Sequence, residues 1–212
     1  MTIELAYLFD PLCGWCYGAS PVVQALGRTA GVQVTLHPTG LFSGDGRTMD
    51  DQFAAYAWSN DQRIQQLTGQ IFSEAYREQV LNRSGSPFNS TAATLALTAI
   101  ALDDPAAELP ALKQLQEARY VHGQDVCTTE AVAELLSGWG LRHAAQRLRD
   151  PDEALILKAR NRTQKARQLL QVLGTDGVPA LAVRDAAGWR MQHRSLLFGT
   201  VEQLMQHLAA AA

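Results

Sequence analysis

Two cysteines separated by two residues, Cys13 and Cys16, stand where an apolar run gives way to a helical stripe, and that junction limits the possible folds more than any other feature of the chain. The run IELAYLF, Ile3 to Phe9, is almost continuously apolar and of strand length. Such a run suits a strand covered on both faces, as in a parallel sheet. After it, Cys16, Ala19, Val23, Leu26 and Ala30 recur at steps of three and four, the stripe of a helix packed on a sheet. Pro21 lies inside that stripe; lacking an N–H, it is expected to bend the helix without ending it. Gly31 reads as the helix stop, and VQVTLH, Val32 to His37, alternates as a second strand should. The result is a βαβ unit with the cysteine pair at its first strand-to-helix junction.

PTGLFSGDG, Pro38 to Gly46, reads as a loop. Its glycines lack the Lys-Ser/Thr of a phosphate-binding loop, so a hinge is the better reading. From Met49 to about Arg149 no strand pattern appears. DQFAAYAWS, QRIQQLTGQIFSEAYREQVL, STAATLALTAIALDD, PALKQLQEARYVHG and TTEAVAELLSGWG read as helical segments with Gly, Pro or Asp at their breaks. Regular α/β patterning then resumes. Asp150 as N-cap, Pro151 at the first helical position and Glu153 in the first turn start a helix that Gly174 stops. LAV (Leu181 to Val183) and WRMQH (Trp189 to His193) flank a turn at Asp185 to Gly188 as a hairpin, and a last helix carries Val201, Leu204, Met205 and Leu208 on one face. The expected class is α/β, in the order βαβ, helical block, αββα. Residues 1–46 and 150–212 form the core, and 47–149 form an all-α insertion of roughly 100 residues.

Composition excludes several function classes. A formal net charge of −3 leaves no basic footprint of the kind phosphate neutralisation requires, so no nucleic acid is expected as a partner. With 47% hydrophobic and 18% charged residues the chain can bury a large core. MTIELAYLFD has no basic n-region, and its apolar run is too short for a signal segment or a membrane span. The reading is a cytoplasmic protein without a membrane partner. Three cysteines in a reducing compartment argue against a structural disulfide framework and leave catalysis or metal binding. Zinc needs four ligands, and no second CxxC, CxxH or HxxxH accompanies the pair, so no metal is expected.

The spacing of the pair assigns chemistry. At a helix N-terminus, unpaired N–H groups and the helix dipole favour thiolate, which makes Cys13 the nucleophile. Cys16, one turn on and within the apolar stripe, is shielded but near enough to attack a bond formed by Cys13. A second element is GTDGVPALAV, Gly174 to Val183, where Pro179 opens a strand after a glycine-containing turn and is a candidate for a cis bond. Cys127 reads as a small buried apolar residue. Among Trp15, Tyr17, Phe42, Trp58 and Phe88, only Trp15 reads as functional, because it lies between the two thiols; the others read as core.

The run Asp10, Pro11, Cys13, Trp15, Cys16, Tyr17, Gly18, together with Gly177, Val178 and Pro179, resembles the DsbA-like group of thioredoxin-fold proteins with a helical insertion. It is most similar to bacterial predicted protein-disulfide isomerases with a DP-x-C-x-W-C-Y-G motif. Weaker echoes lie at Gly40 and Leu41, at Leu67 to Phe72, and at Tyr120 to Val126. The resemblance implies a thioredoxin-like fold and a cis Val178-Pro179 bond. It also implies substrate binding by Trp15, Val178 and Pro179, the Val178 backbone offering strand-like hydrogen bonds to an extended peptide. Strongly oxidising members carry Pro-His between the cysteines, where this chain has Gly14 and Trp15.

The expected activity is thiol-disulfide exchange through Cys13 and Cys16, as an oxidoreductase or protein-disulfide isomerase. Reduction or isomerisation is favoured over net oxidation in a cytoplasmic setting. Partners would be protein or peptide thiols and disulfides and a cellular reductant or oxidant, with glutathione as a redox partner and no bound cofactor. Two alternatives stay open: a glutathione-dependent small-molecule isomerase or transferase of the same superfamily, whose members usually place serine at the position of Cys13, and a non-catalytic redox-switched binding protein.

Overall fold

The computed structural model describes residues 2–44 and 46–210. Met1, Asp45 in the expected loop, and the final two alanines lie outside them. Four strands form one mixed sheet in the order β2-β1-β3-β4. Strand β1 (Ile3–Phe9) pairs in parallel with β2 (Val32–Pro38), from Ile3 opposite Val32 to Phe9 opposite Pro38. On its other edge β1 pairs antiparallel with β3 (Ala180–Asp185), which in turn pairs antiparallel with β4 (Gly188–Met191). Leu5 to Phe9 are fully buried, as an apolar run without alternation requires.

The helix after β1 differs from its sequence reading. It is split at Ala19 into α1 (Gly14–Gly18) and α2 (Ser20–Gly27), with Pro21 in the first turn of α2. Pro21 has no N–H for the carbonyl of Tyr17, four residues earlier; that oxygen accepts instead from Gln70 Nε2 at 3.3 Å. The helix also ends earlier, at Gly27. Thr29 Oγ1 donates to Ala25 O at 2.9 Å and competes with further winding, so Ala30 is exposed and Gly31 serves the turn into β2.

Beyond β2 the chain is helical: α3 (Asp51–Thr68), α4 (Glu74–Tyr76) running into a π turn (Arg77–Leu81), α5 (Thr91–Asp103), α6 (Pro105–Tyr120), α7 (Thr129–Gly138) and α8 (Arg142–Arg149). DQFAAYAWS and the first part of QRIQQLTGQIFSEAYREQVL form one helix, α3, since nothing in SNDQ breaks it, whereas the rest of the second segment lies past Gly69 in α4 and the π turn. Asp50 caps its start by accepting from Phe53 N at 2.7 Å, and Gly69, at φ +72°, ends it. Helix α8 is a further element beyond the five segments read from the pattern. Among the described residues of this block the β pairing is limited to one bridge, Thr48 with Pro87.

Helix α9 (Glu153–Val172) leads back to the sheet, followed by β3, β4, a 3-10 turn (Arg194–Phe198) and α10 (Val201–Ala210). Its N-cap is Asp152, not Asp150: the Asp152 carboxylate accepts from Leu155 N at 2.7 Å, and Pro151 precedes the cap. Two arginines of α9 fasten the C-terminal end of β2. Arg162 donates to Leu36 O at 3.1 Å while pairing with Glu108 of α6, and Arg167 donates to Thr39 O at 2.9 Å and Gly40 O at 2.8 Å. Among the described residues no helix is long and apolar enough to cross a membrane.

Candidate functional site

Parallel pairing brings the ends of β1 and β2 to the same edge of the sheet, and Asp10 organises that edge. Its carboxylate, fully buried, accepts from Leu12 N at 2.9 Å, Phe42 N at 3.1 Å and Ser90 Oγ at 2.8 Å. One side chain thus ties the turn before the cysteines to the loop after β2 and to α5. Burial still raises the Asp10 pKa above the ordinary carboxylate value, against the pull of these donors.

Cys13 is the N-cap of α1 with extended backbone angles, and Cys16 lies one turn on. Both are free thiols, 7% and 1% exposed respectively. Cys13 lines a cavity of about 280 Å³, whereas Cys16 sits behind it, outside the wall. Burial first, and then the neighbouring Cys13, push the Cys16 thiol well above its usual range; an Asp10 backbone hydrogen bond opposes them. Beneath the pair, Tyr7 OH donates to Cys16 O at 3.3 Å, and burial holds that phenol in its protonated form.

The second sequence element meets the first. Val178-Pro179 is cis, and the Cys13 thiol donates to Val178 O at a sulfur contact of 3.8 Å. Both residues of that bond are buried, and neither lines the 280 Å³ cavity. Trp15 does line it, half-buried and edge-on to Phe198 with ring centroids 5.3 Å apart. The five residues singled out from sequence therefore divide into Cys13 and Trp15 at the cavity, Cys16 behind, and Val178 and Pro179 flanking the Cys13 sulfur.

The opposite wall comes from the helical block. Phe53 and Asp61 of α3, Tyr76, Phe88, and Arg119 and Tyr120 of α6 close the cavity, with Phe42 and Arg47 from the loop after β2. Phe42 and Phe88, read from sequence as core, meet there as tilted rings with centroids 4.9 Å apart; Trp58 lies elsewhere. Tyr120 OH donates to Leu12 O at 2.8 Å and so anchors α6 on the cysteine turn. Arg119 is buried among the rings of Tyr76, Phe88 and Tyr120 and donates to Cys127 Sγ at 3.8 Å. Asp61, Tyr76 and Arg119 were not anticipated from sequence, and Tyr120 entered only as the start of a weaker family echo, with no site role. A larger groove of about 740 Å³ between α5 and α9 holds neither cysteine. Among the described residues no group of three or more His, Cys, Asp or Glu side chains is placed to hold a metal ion.

Asp61 carries a pH signature. Burial raises its pKa from 3.8 to about 7, although Tyr76 OH donates to Oδ2 at 2.9 Å and Arg119 pulls the other way. A carboxyl raised on folding contributes its full stability below the unfolded value near 3.8 and loses it as pH rises to about 7. Asp61→Asn is therefore expected to gain on the native protein by up to ~4 kcal/mol as urea unfolding is moved from pH 4 to pH 8. A constant difference across that range would mean that Asp61 ionises normally.

Comparison with known proteins bears on the fold that carries this site. Over 99% of this chain and 100% of the other, the structure of cytosolic disulfide reductase DsbM from Pseudomonas aeruginosa superposes with TM-score 0.87 at 28% identity. The structure of the same reductase with GSH gives 0.84 at 29% identity, over 98% of each chain. A candidate protein disulfide isomerase from Nitrosomonas europaea, 23% identical, shares the fold at TM-score 0.80 over 99% of this chain and 97% of that one. No curated protein sequence matches. The family model of the DSBA-like thioredoxin domain matches residues 4–207. Because that match runs from β1 into α10, helical block included, the chain belongs to the DSBA-like thioredoxin domain family.

Proposed function

We propose that this member of a disulfide oxidoreductase family is a dithiol reductase of disulfides, working in a cytoplasmic compartment with glutathione as its source of electrons. The observation that carries the reading is the placement of the two thiols: Cys13, at the N-cap position of α1, lies in a cavity wall, and Cys16 is buried one turn behind it. Similarity to a cytosolic disulfide reductase, and to the same protein with GSH, supports the compartment and the electron donor.

In the reaction the Cys13 thiolate attacks one sulfur of a client disulfide, forming a Cys13–client bond and releasing the other sulfur as thiolate. Cys16 then gives up its proton and attacks Cys13. The Cys13–Cys16 disulfide forms, and the second client sulfur leaves. Two glutathione molecules return the pair to the dithiol and become one glutathione disulfide. Isomerisation uses the same first step, with a client thiol in place of Cys16. The high pKa of Cys16 suits a resolver that stays protonated until Cys13 has spent its charge. Trp15, Val178 and Pro179 contact the client. Segments 1–46 and 150–212 act as the redox core, and 47–149 as an insertion that shapes the cavity.

Turnover separates this reading from a redox switch. With insulin as substrate and glutathione recycled by glutathione reductase and NADPH, a small amount of protein is expected to reduce many equivalents of disulfide. Consumption of a single equivalent, followed by arrest, would show that the thiols only report oxidation.

A further inference from the structure

The cavity beside Cys13 contains an acid that the exchange reaction, as described, does not use. Asp61 is 5% exposed, yet it lines the same cavity as Cys13. A side-chain carbon added at Gly14, the residue directly after Cys13, would lie 2.5 Å from Asp61 Oδ1. Only the lack of a side chain there lets the carboxyl come so close to the cysteine turn. Tyr76 OH holds the other oxygen at 2.9 Å, which fixes the carboxyl plane.

We propose that Asp61 gives its proton to the sulfur that leaves first when Cys13 opens a disulfide in this cavity. The proposal rests on Cys13 being the nucleophile. In that step the Cys13–sulfur bond forms, the client S–S bond breaks, and its electron pair departs on the far sulfur. Asp61 protonates that sulfur to a thiol, becomes a carboxylate, and regains a proton from solvent before the next client.

The surroundings suit this task. Facing Asp61 are Tyr76 from α4, Arg119 and Tyr120 from α6, and Cys13 at the head of α1, with Arg47 farther along the same wall. Burial keeps the carboxyl protonated to about pH 7, while the Arg119 charge stabilises the carboxylate left behind. An acid of that strength can protonate an ordinary alkyl thiolate downhill. An aryl thiolate that leaves readily unaided gains nothing from it.

That contrast supplies the test. In the Cys16→Ala background only the first step occurs, so the rate of adduct formation on Cys13 can be compared for two uncharged disulfides. These are 2-hydroxyethyl disulfide, with a basic leaving sulfur, and 4,4′-dithiodipyridine, with an easily leaving one. Adding Asp61→Asn is expected to slow the first reaction about 100-fold, the lower end of general acid catalysis, and to change the second by less than about threefold. The alkyl-to-aryl rate ratio should fall above about pH 7 with Asp61 present and be flat with asparagine. The dithiodipyridine reaction also reports that the variant is folded with Cys13 reactive. Equal slowing of both reactions, or of neither, overturns the proposal. Failure of the Cys16→Ala protein itself to react with either disulfide overturns the nucleophile reading beneath it.

Discussion

Cys16→Ala is expected to hold disulfide partners as stable adducts on Cys13, while Cys13→Ser holds none at this site. The asymmetry follows from access. Cys13 opens on the cavity, and Cys16, 1% exposed and with its thiol kept protonated by burial, reaches only a sulfur already bonded to Cys13. Removing the resolver leaves attack intact and stops release; removing the nucleophile stops both. Turnover should fall by at least about 1000-fold in either variant, because residues acting as one unit are not additive. Mass mapping after reaction with oxidised glutathione distinguishes the two: one glutathione on Cys13 in the first variant, none on Cys16 in the second. Adducts of equal yield in both variants, or adducts carried by Cys127, would reverse or remove the assigned roles.

Arg162→Met is expected to cost about 3–5 kcal/mol, the usual consequence of leaving one member of a buried ion pair alone. Glu108 and Arg162 have side chains only 8% and 15% exposed. The same guanidinium donates to Leu36 O at 3.1 Å and Thr98 Oγ1 at 3.3 Å, so one residue of α9 holds β2, α5 and α6 together. Burial already raises the Glu108 pKa against the opposing charge of Arg162. Without that charge it rises further, and a raised carboxyl loses stability as pH increases. The deficit of the variant should therefore be smallest near pH 4 and grow toward pH 8. Adding Glu108→Gln should recover most of it. A deficit below about 1 kcal/mol, or one independent of pH, would show that the pair is solvated and weak.

The two ends of the chain were legible because each element there carries its own local pattern. IELAYLF is long and apolar enough to specify a central strand, and the step of three and four from Cys16 to Leu26 specifies the helix after it. What local pattern could not show was where that helix stops. Gly31 looked like a terminator, but the Thr29 hydroxyl had already engaged the Ala25 carbonyl. At α9 two aspartates two residues apart competed for the cap, and Asp152 is the one that reaches an N–H three residues on.

Half of the site was hidden for a different reason. Cys13, Cys16 and Trp15 are neighbours in sequence, whereas Asp61, Tyr76 and Arg119 come from separate elements whose packing no periodicity encodes. A weak signal did exist. Asp61 lies at helical spacing from Ala54 and Ile64, and Arg119 from Leu112 and Leu115, so each is a charge on its helix's buried stripe. Charges in such positions are rarely buried without partners, and they merit the same scrutiny as a motif.

The central claim, that Cys13 and Cys16 form a dithiol kept reduced by glutathione, is tested most directly by redox titration in glutathione buffers with each thiol mapped after acid quenching. The expected result is one two-electron transition confined to Cys13 and Cys16, with both reduced at a poise of about −260 mV, within the cytosolic range. A pair still oxidised at that poise, or a disulfide that includes Cys127, would contradict it.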